Sequence, residues 1–274
     1  MSYKTSLMGA SSALVIALMN QAPAVQAADV ASDPLCAVSG FNGKAEIIGG
    51  YSENDDEDGG ALMSGLGSLS MPLGCDLGLQ LDVGVVDELD NTTYGGAAHL
   101  FMRDPNSYLL GVTGGYFDSG DANIWAVGPE AELYAGQVSL EAWAGFADID
   151  SNGDAFAFVD AAIYPTDDFR LSVGATIIGD QEFLRARMEY QFAGPVSASL
   201  GAKIGEDDYF AVSAGLSLYF GGSDKSLIRR HREDDPHNRT LEFVGFSDDS
   251  SAGTSTGAPT GTSTSAPTTS PNSG

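Results

Sequence analysis

Basic residues are scarce in this chain of 274 residues. Lys and Arg total 12 against 38 Asp and Glu, which gives a formal net charge of -26. A nucleic-acid-binding protein needs cationic side chains to neutralise phosphates, so that class is excluded. Docking onto an anionic membrane surface by charge is disfavoured for the same reason. Divalent cations are the partners that so acidic a surface attracts.

Long apolar runs are confined to the N-terminus, where residues 1–27 have the parts of a signal peptide. Lys4 precedes an apolar stretch from Leu7 to Met19, and Val25-Gln26-Ala27 gives a small-residue cleavage pattern. An uncleaved anchor is the alternative, which the short apolar stretch disfavours. No later apolar run approaches about 18 residues, which excludes a bundle of membrane-spanning helices. An exported chain of this kind is either soluble or a barrel whose strands each carry alternating apolarity.

Cysteine is also rare, and the two residues present are Cys36 and Cys75. An even number of cysteines in an exported chain predicts a disulfide bond, with two free thiols as the alternative. The bond closes a loop of roughly 40 residues and contributes about 3–4 kcal/mol by chain entropy.

Only three histidines are present, which limits the catalytic and metal sites that the chain can build. Two cysteines and one histidine in the strand region do not make a zinc set. A hydrolase of the serine type needs a serine near its histidine, but the positions two residues from His99 are Ala97 and Phe101. We therefore expect no catalytic residue and no cofactor, and we interpret His99 as a histidine inside the folded domain.

Alternation with a period of two residues dominates the middle of the chain. In the last such segment, Phe210, Val212 and Ala214 fall on one face and Ala211, Ser213 and Gly215 on the other. The pattern predicts an all-β, up-and-down antiparallel transmembrane β-barrel of about 12 strands. The predicted strands are 44–53, 61–71, 75–86, 92–103, 108–117, 123–135, 138–148, 155–164, 169–178, 182–193, 196–205 and 209–220.

The polar faces favour a membrane barrel over a soluble sandwich. They are rich in Gly, Ala and Ser with a few charges, as suits the crowded inside of a narrow barrel. Aromatic residues near the ends of the apolar faces resemble interfacial girdles. These residues are Phe169, Tyr190, Phe192, Phe210 and Phe220.

The connections between the predicted strands alternate in kind. Every odd-numbered connection is acidic, such as Asn54-Asp55-Asp56-Glu57-Asp58 and Glu206-Asp207-Asp208. The even-numbered ones are tight Pro or Gly turns, such as Gly136-Gln137 and Gly194-Pro195. Up-and-down connectivity therefore predicts one acidic end and one tight end, with both cysteines at the tight, periplasmic end.

The chain continues beyond the last predicted strand. We divide it into a signal peptide (1–27), an N-terminal leader (28–43), a barrel (44–220), a periplasmic extension (221–246) and a disordered tail (247–274). The extension holds Arg229-Arg230-His231-Arg232, for which contact with periplasmic headgroups or cell wall competes with a solvated, self-paired segment. The tail is nearly all Ser, Thr, Gly, Ala and Pro, a composition that cannot bury a core.

These features resemble the bacterial outer-membrane β-barrel superfamily in its porin-like, up-and-down form. The resemblance covers the signal peptide and residues 44–220, and the end of the last strand, Leu218-Tyr219-Phe220, is similar to the assembly signal of such barrels. It implies a Gram-negative outer membrane, with membrane lipids, lipopolysaccharide and the barrel insertion machinery as partners. The signal here is not C-terminal, which departs from the family pattern.

Strand parity predicts which charged residues line the lumen. Acidic and basic groups lie on different strands, so they either create a transverse field in a small pore or pair within a plugged lumen. The candidate lumen residues are Asp76, Asp82, Arg103, Glu130, Glu132, Glu141, Asp160, Arg170, Arg185, Arg187, Glu189 and Lys203.

One connection has the spacing of half a calcium loop. Asp148, Asp150, Asn152 and Asp154 place oxygen ligands at alternate positions, but the closing glutamate is replaced by Val159. An ordinary polar hairpin turn is the favoured interpretation.

The function expected from the sequence is a narrow passive pore for small solutes. A barrel with a blocked lumen and a structural or surface-interaction role is the first alternative. A lipid-modifying barrel enzyme and a soluble, exported all-β binding protein are weaker ones.

Overall fold

A computed structural model describes residues 35–54, 59–88, 91–119, 123–149, 152–206, 208–222, 224–234 and 236–239. The predicted signal peptide at 1–27 and the predicted disordered tail at 247–274 lie outside these residues. The strands are β1 (Asn42–Glu53), β2 (Gly60–Pro72), β3 (Leu77–Glu88), β4 (Asn91–Asp104), β5 (Tyr108–Asp118), β6 (Asn123–Ala135), β7 (Val138–Ile149), β8 (Asn152–Thr166), β9 (Phe169–Ile178), β10 (Gln181–Ala193), β11 (Val196–Gly205) and β12 (Phe210–Phe220), followed by a short helix, α1 (Leu227–Glu233).

The sheet closes on itself. Each strand pairs antiparallel with the next, and β12 pairs with β1 over the whole length from Gly43↔Phe220 to Glu53↔Phe210. Closure satisfies the backbone groups that an open sheet would leave at its edges. The predicted up-and-down barrel of twelve strands is therefore confirmed, and each predicted strand end lies within three residues of the observed one.

The outer wall of the barrel is apolar. Large side chains on alternate positions point outward, and Val83 and Leu200 are 62% and 55% exposed. Such a continuous apolar exterior is unfavourable in water and matches the hydrocarbon of a bilayer. The predicted girdle residues Tyr190, Phe192, Phe210 and Phe220 are all exposed on this wall. Within the described residues, no helix is both long and apolar enough to cross a membrane.

The two ends of the barrel differ as predicted. At one end, which we call the tight-turn mouth, connections of two to four residues join β2–β3, β4–β5, β6–β7, β8–β9 and β10–β11. Gly136 and Gly194 adopt φ values of +56° and +53° there, a left-handed conformation that favours glycine in a two-residue turn. The other end, the acidic mouth, carries the acidic connections.

The C-terminal segment is where the structure corrects the sequence prediction. Residues 221–246 were expected to extend from the barrel, but their described part turns back into the lumen. Part of the reason is electrostatic, because Arg239 of this segment pairs with the buried carboxylates of Glu141 and Asp160. Other polar side chains of the segment, such as Arg230 and Arg232, hydrogen-bond to neutral groups of the wall. We call its residues 224–234 and 236–239 the plug.

Candidate functional site: the lumen and its plug

The inner wall carries almost all the charged residues that strand parity predicts. The following lie on inward faces: Asp82, Arg103, Glu130, Glu132, Glu141, Asp160, Arg170, Arg185, Arg187, Glu189 and Lys203. Asp76 is the exception, because it lies exposed in the turn before β3. Asp76 is six residues before the inward Asp82, so alternation along a strand would place it inward as well. The strand begins only at Leu77, so the alternation does not extend to Asp76.

The charges of the inner wall are paired rather than separated across an open lumen. The Nη2 atom of Arg170 lies 2.9 Å from Oε1 of Glu141. Arg185 donates to Asp160, and Arg187 donates to Glu46. Because each buried charge loses its hydration, such pairing offsets a cost that isolated ions could not bear.

A buried histidine joins two carboxylates near the middle of the wall. His99 is fully buried, with Nε2 3.0 Å from Oδ2 of Asp82 and Nδ1 2.9 Å from Oε2 of Glu130. The hydroxyl of Thr113 lies 2.8 Å from Nδ1. The inward position predicted for His99 is thus observed, and its partners lie on β3, β5 and β6.

The plug helix α1 is held against the tight-turn mouth. The guanidinium of Arg232 donates to the carbonyl oxygens of Gly136 and Val138, at 2.8 and 2.9 Å. Arg230 is fully buried, and its Nε donates to Oε1 of Gln191 at 3.0 Å. The sequence allowed two interpretations of Arg229-Arg230-His231-Arg232: contact with headgroups or cell wall, or a solvated segment. In the structure, this stretch instead contacts the inner wall of the barrel.

His231 connects the helix to the wall through two tyrosines. Its Nδ1 lies 2.9 Å from the hydroxyl of Tyr164, and its Nε2 lies 3.1 Å from that of Tyr219. Since Tyr219 donates its own proton to Glu189 at 2.8 Å, Nε2 of His231 donates to Tyr219 and Nδ1 accepts from Tyr164. Burial lowers the pKa of His231 to about 3, which keeps the ring neutral in this arrangement.

Beyond α1 the plug reaches deeper into the lumen. Gln80 donates its Nε2 to the carbonyl oxygen of Pro236 at 3.0 Å. The side chain of Asn238 donates to the hydroxyl of Ser68 at 3.1 Å. Arg239 is almost fully buried, with Nη1 3.4 Å from Oδ2 of Asp160.

The N-terminal leader closes the same mouth beside the plug. The predicted disulfide between Cys36 and Cys75 is confirmed, and the amide of Ala37 donates to the carbonyl oxygen of Cys75. Arg103 joins leader and plug, because its Nε donates to the Ala37 carbonyl at 2.7 Å and its Nη2 to the Asp234 carbonyl at 3.2 Å. The tight-turn mouth is therefore filled by both ends of the described chain.

The acidic half of the lumen has a different wall, made of inward aromatic residues. Trp143 packs against Phe156 and Phe158, with ring centroids 4.7 and 5.4 Å apart. Phe183 meets Tyr209 edge to face at 5.4 Å. This aromatic wall was not predicted from the sequence, because the polar faces of the strands are mostly Gly, Ala and Ser. The signal was present, since Phe156 and Phe158 share the parity of Asp160.

The described residues enclose cavities inside the lumen. One of about 40 Å³ lies beside the plug, between Glu141, Arg170 and His231. Another of about 130 Å³ runs from His237 to Glu88 and Tyr209 near the acidic mouth. Larger concavities of about 870 and 820 Å³ lie on the apolar outer wall, next to Ile47, and belong to the bilayer-facing surface.

The candidate calcium loop is a tight hairpin between β7 and β8. Asp150 lies outside the described residues, and so does the side chain of Asn152. Asp148 lies on the outward face and Asp154 on the inward face, so one ion cannot bind both. Among the described residues there is no group of three or more His, Cys, Asp or Glu side chains that could hold a metal ion.

Comparison with known proteins finds similarity in fold alone. No family model matches the sequence, and no curated protein matches it. Two solved structures of the KdgM porin are similar, with TM-scores of 0.52 and 0.51 at 9% sequence identity. In each case the match covers 64% of this chain and 99% of that chain. One of them is described as KdgM porin in complex with disordered oligogalacturonate.

The closed sheet, the apolar exterior and these similarities define the class of the protein. It is a closed, up-and-down β-barrel of twelve strands whose fold is similar to that of the KdgM porin. Within that fold, the lumen of this chain is divided into a charged half that holds the plug and an aromatic half towards the acidic mouth.

Proposed function

We propose that this protein is a narrow passive pore for small solutes in the outer membrane of a Gram-negative bacterium, and that its own plug closes it. The observation that carries the proposal is the closed barrel of twelve strands with a charged inner wall. A barrel of this size encloses more than an eight-stranded barrel and far less than a sixteen-stranded porin. The similar KdgM porin supports the role of a pore, and we do not extend its oligogalacturonate ligand to this chain.

The chemistry of the plug suits a removable closure. It buries the apolar side chains of Leu227 and Ile228, but most of its contacts with the wall are polar, such as Asn238 to Ser68 and Arg239 to Asp160. When such a segment leaves, water can replace its hydrogen bonds with the wall, at a net cost of roughly 0.5–1.5 kcal/mol for each neutral one. An apolar core could not be exchanged for water in this way.

Conductance in planar bilayers tests this function. We compare the full chain with a variant that ends at Phe220, which keeps all twelve strands and removes the plug. We expect rare, small openings from the full chain and a stable conductance at least tenfold larger from the variant. A heat-dependent shift in gel mobility in both proteins would show that both barrels are folded. Folded barrels that are both silent would contradict the pore.

A blocked barrel with a structural or surface-interaction role is the second candidate. The paired wall charges and the filled tight-turn mouth favour it, and two silent barrels would establish it. In either case we propose that the acidic mouth recruits divalent cations, which bridge to lipopolysaccharide phosphates. We further propose that Leu218-Tyr219-Phe220 is recognised by the barrel insertion machinery, although it is not C-terminal.

Enzymatic activity is not part of the proposal. His99 and Thr113 are fully buried, and they do not line the cavities of about 40 and 130 Å³ between the described residues. A lipid or other substrate would have to reach a histidine that is enclosed between Asp82 and Glu130.

A further inference from the structure

The acidic mouth carries carboxylates around its whole circumference. Each of the six hairpins at that end has at least one exposed or half-buried Asp or Glu at its turn, and closure of the sheet arranges them in a ring. One from each hairpin can be named: Glu53, Asp87, Asp118, Asp148, Asp180 and Glu206. The connections between the strands at this end contain no Lys or Arg. A carboxylate ring attracts cations to the entrance of a pore and repels anions.

The inner wall also has more carboxylates than cations when the plug is not counted. Ten Asp and Glu residues of the described chain are buried, and all but Glu233 and Asp234 of the plug lie on the inner wall. Of the twelve Lys and Arg residues, five lie in the plug and Lys4 lies in the predicted signal peptide, which leaves six for the wall. His99 adds at most one positive charge. The formal charge of the wall alone is therefore negative.

Three of the wall carboxylates form a row across neighbouring strands, which we call the carboxylate row. Glu132 of β6 is paired in register with Glu141 of β7, and Glu141 with Asp160 of β8. Two arginines of the wall contact this row, because Arg170 pairs with Glu141 and Arg185 pairs with Asp160. Three carboxylates beside two arginines leave one formal negative charge.

Arg239 of the plug supplies a third cation to the carboxylate row. Its Nη1 lies 3.4 Å from Oδ2 of Asp160, and its Nη2 lies 3.9 Å from Oε2 of Glu141. Arg239 and Glu141 are both more than nine-tenths buried. His237 also approaches this oxygen, with Nδ1 at 3.6 Å, yet Oε2 of Glu141 has no hydrogen-bond partner among the described residues. The row therefore holds a guanidinium and still keeps one buried acceptor unsatisfied.

We propose that the open pore selects small cations over anions, and that Arg239 is a tethered cation that occupies the carboxylate row while the plug is docked. This inference rests on the proposed pore and adds the class of solute that it passes. A cation that enters by the acidic mouth meets the carboxylate ring first. It then reaches the row, at the place that the guanidinium of Arg239 has left. The negative charge that holds the plug thus also selects the solute.

The permeability ratio of K⁺ to Cl⁻ tests this selectivity. It is measured on openings of the full chain in planar bilayers under a KCl gradient. We expect a ratio of about three or more near 0.1 M KCl. The ratio should approach one near 1 M, where the Debye length falls from ~10 Å to ~3 Å.

Neutral substitutions in the carboxylate ring provide a variant that should fold, because the side chains are exposed. A double variant, Asp180→Asn with Glu206→Gln, should lower the ratio of K⁺ to Cl⁻ permeability. The matched control is Asp180→Glu with Glu206→Asp, which keeps both charges. A fall in the ratio that is confined to the neutral pair is the expected result, and equal ratios in the two double variants would contradict selection by the ring.

Two substitutions of Arg239 test its part in closure. Arg239→Gln removes the tethered cation, whereas Arg239→Lys keeps a positive charge at the same position of the plug. We expect the pore to open roughly tenfold more often with Gln than with Lys, because the row then lacks a buried counter-ion. Equal opening frequencies would show that the charge of Arg239 does not hold the plug on the row.

The outcomes separate this inference from the pore itself. Openings that pass K⁺ and Cl⁻ equally, or that favour Cl⁻, would overturn the cation selectivity and leave the pore in place. The full chain and both Arg239 variants could instead all be silent while a heat-dependent gel shift shows that they are folded. That result would overturn the pore, and the selectivity with it.

Discussion

The two halves of the lumen are filled by different kinds of side chain. The half near the tight-turn mouth buries charge, and the plug and leader complete its ion pairs and hydrogen bonds. The half near the acidic mouth buries aromatic rings, which pack against one another. A polar filling can be exchanged for water at modest cost, whereas an aromatic one cannot. If the barrel is the pore proposed above, the plug in the charged half is the part that moves. The aromatic half is then the narrow part of the pore that stays fixed.

Of the substitutions considered, removal of the His99 side chain should lower the stability of the folded barrel most. His99→Ala leaves Asp82 and Glu130 buried without their shared partner, which costs about 3–5 kcal/mol. The temperature at which the folded gel band is lost measures this effect. His99→Gln, whose amide NH2 can still donate to one of the two carboxylates, should lose less. An unchanged melting temperature for His99→Ala would show that the carboxylates have other partners.

Two adjacent arginines of α1 differ in burial, so their substitution separates the effect of a buried plug contact from that of an exposed one. Arg230 is fully buried, donates to Gln191 and lies 5.1 Å from the ring centroid of Tyr219. We expect Arg230→Ala to weaken plug docking by about 2–3 kcal/mol, because it leaves polar groups unpaired. The frequency of pore opening in bilayers should then rise by roughly 30-fold or more.

Arg229→Ala is the matched control. Its side chain is 45% exposed and forms an i,i+4 pair with Glu233. Exposed pairs of this kind contribute about 0.3–0.5 kcal/mol, so opening should change by about twofold at most. Equal effects of the two variants would mean that α1 is not docked as described.

Acidification should also release the plug. Burial lowers the pKa of His231 to about 3 and that of His237 well below its usual value, although Glu189 opposes this for His231. A released plug would titrate near the ordinary value of ~6.5. The released state therefore binds more protons, so docking is fully stabilised above about pH 6.5 and is lost as the pH falls towards 3.

We expect opening to increase by roughly 100-fold between pH 7.5 and 4.5 from His231 alone, because its pKa is about 3 in the docked plug and ~6.5 in the released one. His231→Gln should reduce that dependence. Bilayer recordings at both pH values measure it. Opening that decreases on acidification would contradict the assigned neutral state of His231.

The sequence predicted the barrel because period-two alternation is local and depends directly on which face meets lipid. It predicted the inward charges for the same reason, and it failed at Asp76 only because that residue precedes the strand. The position of the plug could not be predicted from hydrophobic periodicity. Its helix is only seven residues long and residues 236–239 form no helix or strand, so neither shows a repeating pattern. Charge balance was the available signal. The plug holds five of the chain's twelve Lys and Arg residues: Lys225, Arg229, Arg230, Arg232 and Arg239.

The described C-terminal segment lies inside the barrel, and a cross-link between this segment and the wall checks that position. Asn238 and Ser68 are in contact, with Nδ2 3.1 Å from Oγ. In a Ser68→Cys, Asn238→Cys variant of the folded barrel, a short bifunctional maleimide should join β2 to the plug within one chain. Absence of that cross-link, when both cysteines react singly and the barrel is folded, would contradict the account.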